Sequence, residues 1–200
     1  MNAKIAVMQP YLFPYIGYFQ LLNAADKFVI LDDVNFIKKG WINRNKILVN
    51  NEPAYFTIPL VKSSQNKLIK DIAISYENNW QEKFLKTIER SYCKAPFYND
   101  AIVLISKIIL KKENKISGLI YFSLLEIKNY LGLKTEIVES SGIYSNKELK
   151  GEERIIDICL KENSEYYVNP IGGIELYSKN SFSEKGISLN FIKTNKIEYQ

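Results

Sequence analysis

KIAVMQ (4–9) and KFVILDD (27–33) are short apolar runs rich in β-branched residues, and each reads as a buried strand. Pro10 stops the first run, residues 10–15 form a loop, and GYFQLLNAAD then places Phe19, Leu22 and Ala25 at helical spacing. Strand, helix and strand in that order make a βαβ unit, whose two strands pair in parallel and are covered by helices. Ligands of such sheets bind beyond the carboxyl ends of the strands. Those ends are Gln9-Pro10 and Asp32-Asp33.

The same rhythm returns late in the chain. TEIVESS (135–141) reads as a strand, GEERIIDICLKEN (151–163) as an amphipathic helix, EYYVNP as a strand, IELYSKNSF as a helix and ISLNFIK as a last strand. Between the two α/β portions, KILVN and AYFTIPLV flank Asn50-Asn51-Glu52-Pro53, which is hairpin chemistry, and KLIKDIAIS reads as a further strand. NNWQEKFLKTIERSY has Asn78 or Asn79 as a cap and Trp80, Phe84, Ile88 and Tyr92 on one apolar face, so these aromatics are assigned to the core. APFYNDAIVLISKIILKK and ISGLIYFSLLEIKNYLGL add two more helices, the last ending at Gly132 as a natural stop. The fold expected is α/β, with a Rossmann-like, mainly parallel sheet, in a single domain of 200 residues carrying a helical insertion over about 78–133.

Composition narrows the chemistry. Histidine is absent, which removes His-based triads, imidazole acid–base catalysis and His-ligated metals, and no metal-ligating set is assigned. The two cysteines lie far apart in different predicted helices, and the N-terminus lacks a charged and then apolar leader pattern, so a reducing cytoplasm is expected. The longest apolar helix is interrupted by Glu126, Lys128 and Asn129 and does not read as a membrane span. A net charge of +5 is scattered, with no basic stripe beyond Lys38-Lys39 and Lys111-Lys112, so nucleic acid is not the expected partner. Only three arginines occur, Arg44, Arg90 and Arg154, and each is conspicuous in so lysine-rich a chain.

Several groups could carry function. The bend after the first strand holds Tyr11, Tyr15, Gly17 and Tyr18 and opens directly into a helix, so backbone N–H groups there suit a phosphate or carboxylate, and Gly17 permits close approach. Its alternative reading is a helix packed on a strand, with the aromatics as core. Asp32 and Asp33 could bind a ribose, a metal or an amine, or act as a base, one of the pair serving only as a loop cap. In KKGWINRNKI, Asn43, Arg44 and Asn45 offer donors beside Trp41 as a stacking plate, a set suited to phosphate or carboxylate plus a ring. Ser140 and Ser141, and Asn169 with Gly172 and Gly173, follow strand ends along the same sheet edge as Gln9 and could hold phosphate or sugar hydroxyls. Arg154, next to Glu152 and Glu153, reads as part of a salt-bridged surface face, and Arg90 likewise.

MQPYLFPYIGYFQLLNAADKFVILDDVNFIKKGWINRNKIL resembles the opening of the WbqC-like family, and SYCKAPFY, ESS and YYVNPIGG continue the likeness over essentially the whole chain. That resemblance implies a role in bacterial surface polysaccharides of the O-antigen type. The function expected is transfer of an acyl or aminoacyl group, such as glycyl, to the amine of a nucleotide-linked amino sugar. Asp32 or Asp33 would take the amine proton, and the cofactor, the oligomeric state and an aminoacyl-tRNA donor stay open. A non-catalytic sugar-nucleotide-binding or scaffold protein is the alternative. Tyr15-Ile16-Gly17-Tyr18 is also similar to the H-x-G-H motif of a nucleotidyltransferase class, with tyrosine in place of both histidines.

Overall fold

In the computed structural model, which describes residues 3–194, the chain begins β1 (Lys4–Met8), α1 (Ile16–Ala24), β2 (Lys27–Ile30), β3 (Arg44–Val49), β4 (Glu52–Thr57), β5 (Leu60–Val61) and β6 (Ala73–Ile74). Three helices follow, α2 (Trp80–Tyr92), α3 (Tyr98–Leu110) and α4 (Ile116–Tyr130). The chain continues through β7 (Glu136–Val138), α5 (Gly151–Lys161), β8 (Tyr166–Pro170), α6 (Lys179–Ser183) and β9 (Ser188–Ile192). Two compact units result. The first takes the residues up to Gln9, Pro14–Asp33 and those from Leu133 onward; the second takes Pro10–Phe13 and Val34–Gly132.

The first unit is a five-stranded sheet in the order β7-β2-β1-β8-β9, with every neighbouring pair parallel. It is an α/β, Rossmann-like fold. Continuous apolar strands fit this setting because both faces of a parallel sheet are buried. Ile5, Ala6 and Val7 in β1 and Phe28, Val29 and Ile30 in β2 are all buried. Ile155, Ile158 and Cys159 of α5 and Phe182 of α6 join Val7, Tyr167 and Leu189 in one core. The Tyr167 and Phe182 rings stack with centroids 5.4 Å apart. Burial pushes the Cys159 thiol up to about 12, so this cysteine is a packing group, not a nucleophile.

The second unit is built on the β3–β4 hairpin, paired in antiparallel register from Arg44↔Thr57 to Val49↔Glu52. Asn50 and Asn51 turn it, both with positive φ, as a two-residue hairpin requires. Phe84 and Ile88 of α2 and Ile109 of α3 pack with Ile47 and Phe56 of the hairpin. Phe56 and Phe84 stand 4.5 Å apart between ring centroids. The helices expected over 78–133 lie in this unit together with β3–β4 and the short β5–β6 pair.

Three local expectations change. KLIKDIAIS is mostly not a strand, because Ile69–Asp71 form a 3-10 turn and only Ala73–Ile74 pair. Ile69 and Ile72, three apart, are both fully buried, which a turn satisfies and strict alternation does not. Neither Asn78 nor Asn79 caps α2: both have positive φ, whereas a capping side chain needs extended backbone. In IELYSKNSF a 3-10 turn, Ile171–Leu176, precedes an extended Tyr177, and α6 starts only after Ser178, whose hydroxyl accepts from Ser181 N. Gly132 does end α4, with φ at 67° and its N–H on Asn129 O.

Candidate functional site

The strand order of the first unit reverses between β1 and β8. β2 and β7 were added on one side of β1, and β8 and β9 on the other, so the crossovers diverge there, the point of such a sheet beyond whose carboxyl ends ligands bind. Gln9 and Asn169 flank that point. Tyr18 is buried and its hydroxyl donates to Gln9 O at 3.0 Å, while burial raises its phenol above the usual value. Tyr15, by contrast, is over half exposed at the start of α1. A Cβ on Gly17 would collide with the Tyr15 ring, so glycine lets that ring lie against the first turn. Gly173 serves Asn169 in the same way, because a Cβ there would collide with the Asn169 amide nitrogen. Asn169 is buried, and its side-chain oxygen accepts from the Tyr167 hydroxyl at 3.3 Å. Gly172 faces open space.

The two aspartates after β2 enter different networks. Ser140 Oγ donates to Asp32 Oδ1 at 2.5 Å, and the same hydroxyl oxygen accepts from Gly142 N at 3.1 Å. Asp33 Oδ1 accepts from the Ser141 hydroxyl and from Arg154 Nη2. Arg154 therefore corrects its surface assignment: it is 5% exposed and forms an ion pair with Asp33, which is 6% exposed. The reason is its place in the helix, since α5 buries Arg154, Ile155, Ile158 and Cys159 together while Glu152 and Glu153 lie in the first turn. Arg154 Nε donates to Asn146 Oδ1 at 3.1 Å, and Asn146 Nδ2 donates to Asp157 Oδ2 at 2.6 Å. Burial acts to raise the Asp157 carboxyl, but hydrogen bonds from Lys161 and Asn146 outweigh it and hold the group below its usual value. All four residues Asp32, Asp33, Ser140 and Ser141 are thus brought together at one strand edge.

In the second unit, strand alternation sorts the Asn-Arg-Asn triplet by face. Asn43 is buried and its amide donates to Ile58 O at 2.8 Å. Asn45 Nδ2 donates to Leu12 O at 3.1 Å and Phe13 O at 2.6 Å. Both amides tie the chain together. Arg44 Nε donates to Gly40 O at 3.0 Å and Nη2 donates to Lys39 O, which closes the loop before β3. Its guanidinium carbon also lies 4.7 Å from the Tyr55 ring centroid and 5.7 Å from that of Trp41. Tyr11 and Trp41 are 6.0 Å apart, Trp41 and Tyr55 6.1 Å, and Lys46 Nζ sits 5.0 Å over Tyr55. The result is a strip of three rings, Trp41 and Tyr55 exposed and Tyr11 half-buried, with two cations among them.

Sequence reasoning missed Arg154, Asn146, Tyr55 and Lys46. Tyr55 and Lys46 were recoverable, because an Asn50-Asn51 turn sets Lys46 opposite Tyr55. Arg154 had only its rarity as a signal. Among the described residues no group of three or more Cys, Asp or Glu side chains could hold a metal ion, and no helix is long and apolar enough to cross a membrane.

The model of the WbqC-like protein family matches residues 9–200. An uncharacterized protein of Mycobacterium tuberculosis is 26% identical over 191 residues, covering 94% of this chain and 81% of that protein. No solved structure matches the chain.

Proposed function

Because this chain belongs to the WbqC-like protein family, we propose that it is a transferase of bacterial surface-glycan assembly, moving an acyl or aminoacyl group onto the amine of a nucleotide-linked amino sugar. The observation that carries the reading is the short Ser140–Asp32 hydrogen bond at the carboxyl edge of the sheet. Asp33 forms the ion pair with Arg154 and holds the loop, and Asp32, which accepts the Ser140 hydroxyl, is assigned as the base. Asp32 is only 2% exposed, while Ser140 is half-buried, so the amine proton reaches Asp32 through the Ser140 hydroxyl. The amine nitrogen attacks the donor carbonyl, the C–N bond forms, the bond to the leaving group breaks, and the proton released from nitrogen is passed on to that leaving group. Gln9, Tyr15 and Asn169 border the strand ends beyond which the nucleotide-linked sugar would lie.

The Tyr11–Trp41–Tyr55 strip with Arg44 and Lys46 favours a second reading, non-catalytic recognition of the same ligand class by stacking and charge. Nucleotidyl transfer draws least support, because Tyr18 is buried and bonded to Gln9 O where a second histidine would stand. Incubation with nucleotide-linked amino sugars and activated acyl or aminoacyl donors, followed by mass spectrometry, separates these readings. Transfer should give an amide product that Asp32→Asn and Ser140→Ala lose while folding normally. Ligand-dependent thermal stabilisation with no product would instead support recognition alone.

A further inference from the structure

We infer that the second unit holds a binding site for an amphipathic anion: an acyl chain bearing a carboxylate or phosphate head. The β3–β4 hairpin and the facing sides of α2 and α3 line a partly open cavity of about 330 Å³. Ile47, Phe56, Phe84, Ile88, Ile102 and Ile105 make its wall, so it accepts apolar matter. Asn45, one of its few polar neighbours, is already spent on the Leu12 and Phe13 carbonyls. This cavity alone would take a chain or a ring of any kind.

A second space next to it selects the head. A polar crevice of about 620 Å³ continues along β3 past Leu48 and Val49 and is lined by Thr87, Arg90 and Ser91. The two spaces share Tyr92. Tyr92 Oη accepts from Leu48 N at 2.7 Å, which fixes the ring at the boundary and leaves the hydroxyl proton to donate to a ligand. No carboxylate lines the crevice, and Arg90 makes no ion pair among the described residues. An uncommitted guanidinium fork suits a carboxylate or phosphate. Backbone strain marks the same place: Phe13, which lines the cavity, has φ at 47°, and Phe97, between the lining residues Pro96 and Tyr98, has φ at 61° and is 79% exposed. Bulky residues in this backbone region cluster at ligand clamps.

The inference stands on the second unit alone, so its failure leaves the transfer reading untouched. Calorimetric titration of the full chain with octanoate, decanoate, dodecanoate, decyl phosphate and decanol tests it. Affinity should rise with chain length until the cavity is filled. Ala101→Trp, at an exposed position lining the cavity, should weaken decanoate at least about tenfold with the melting temperature unchanged. Arg90→Gln should weaken decanoate and decyl phosphate by about tenfold and leave decanol unaffected. Stronger loss of decanoate than of decyl phosphate in that variant would identify a carboxylate head, and the converse a phosphate. Absence of binding by the wild type, or equal affinities in Ala101→Trp, overturns the site. Equal loss of decanol and decanoate in Arg90→Gln overturns the anionic head.

Discussion

Arg154 and Arg44 solve the same problem in opposite ways. Arg154, in the first unit, is almost wholly buried, and its charge is balanced by Asp33 and spread through Asn146 toward Asp157. Arg44, in the second, lies against the exposed Trp41 and Tyr55 rings and pairs with no carboxylate among the described residues. A buried guanidinium must be neutralised where it stands, because desolvation costs several kcal/mol per ion. One on an aromatic surface keeps its charge available to a ligand. The residue type is shared, and burial decides whether its charge is cancelled inside the fold or stays at the surface.

The largest effect should come from breaking the buried pair. Arg154→Met leaves Asp33 uncompensated and should cost about 3–5 kcal/mol in urea unfolding. The double variant Asp33→Asn, Arg154→Met should recover much of that loss, and a single-variant loss below about 1 kcal/mol would mean the pair is not structural.

Next comes a second ion pair of the first unit, one of several there, Lys27 Nζ to Glu162 Oε2 at 2.6 Å, with Tyr144 donating to Glu162 Oε1. Burial acts to raise the Glu162 carboxyl, but the bonds from Lys27 and Tyr144 prevail and lower it; the bond to Glu162 raises Lys27 despite burial. A lowered acid stabilises the fold above its ordinary value of 4.5 and loses that contribution as pH falls through the folded value. A raised base contributes fully below its ordinary 10.5 and loses it as pH rises through the folded value. Glu162→Gln should therefore cost about 1.5–3 kcal/mol at neutral pH, and the gap to wild type should close below pH 4.5 in thermal melts.

Gly173→Ala should cost about 1–3 kcal/mol by forcing Asn169 aside, whereas Gly172→Ala, facing open space, should be close to neutral. Differential scanning of the two variants compares them directly. The smallest effect on stability belongs to the aromatic strip: Arg44→Ala should lose no more than about 1 kcal/mol. The same change should weaken nucleotide-sugar binding if the strip recognises ligands, and an unchanged affinity would remove Arg44 from recognition.

Much of this architecture was legible in the residues. The apolar runs of β1, β2, β8 and β9, the Asn50-Asn51 hairpin and Gly132 at the end of α4 are local signals, each tied to a backbone period or to a conformation that few residues adopt. IELYSKNSF misled because Tyr177 is extended between two short helical turns, a break that no glycine or proline announces. Within the candidate site, proximity of Asp32, Asp33, Ser140 and Ser141 followed from their being at ends of parallel strands. Their separate roles did not follow, because identical neighbours in sequence received different partners.

The sequence by itself determined most of the strands and helices, that the early and late α/β portions share a parallel pattern, and that no histidine side chain takes part in the chemistry. Tertiary structure alone decided that Arg154 neutralises Asp33 across 121 residues, and that Tyr18 is core while Tyr15 is surface. The physical reason is range. Periodicity reports how each residue faces its own element, whereas the partner of a buried charge depends on which distant elements pack together, and the desolvation cost enforces that pairing only once they have.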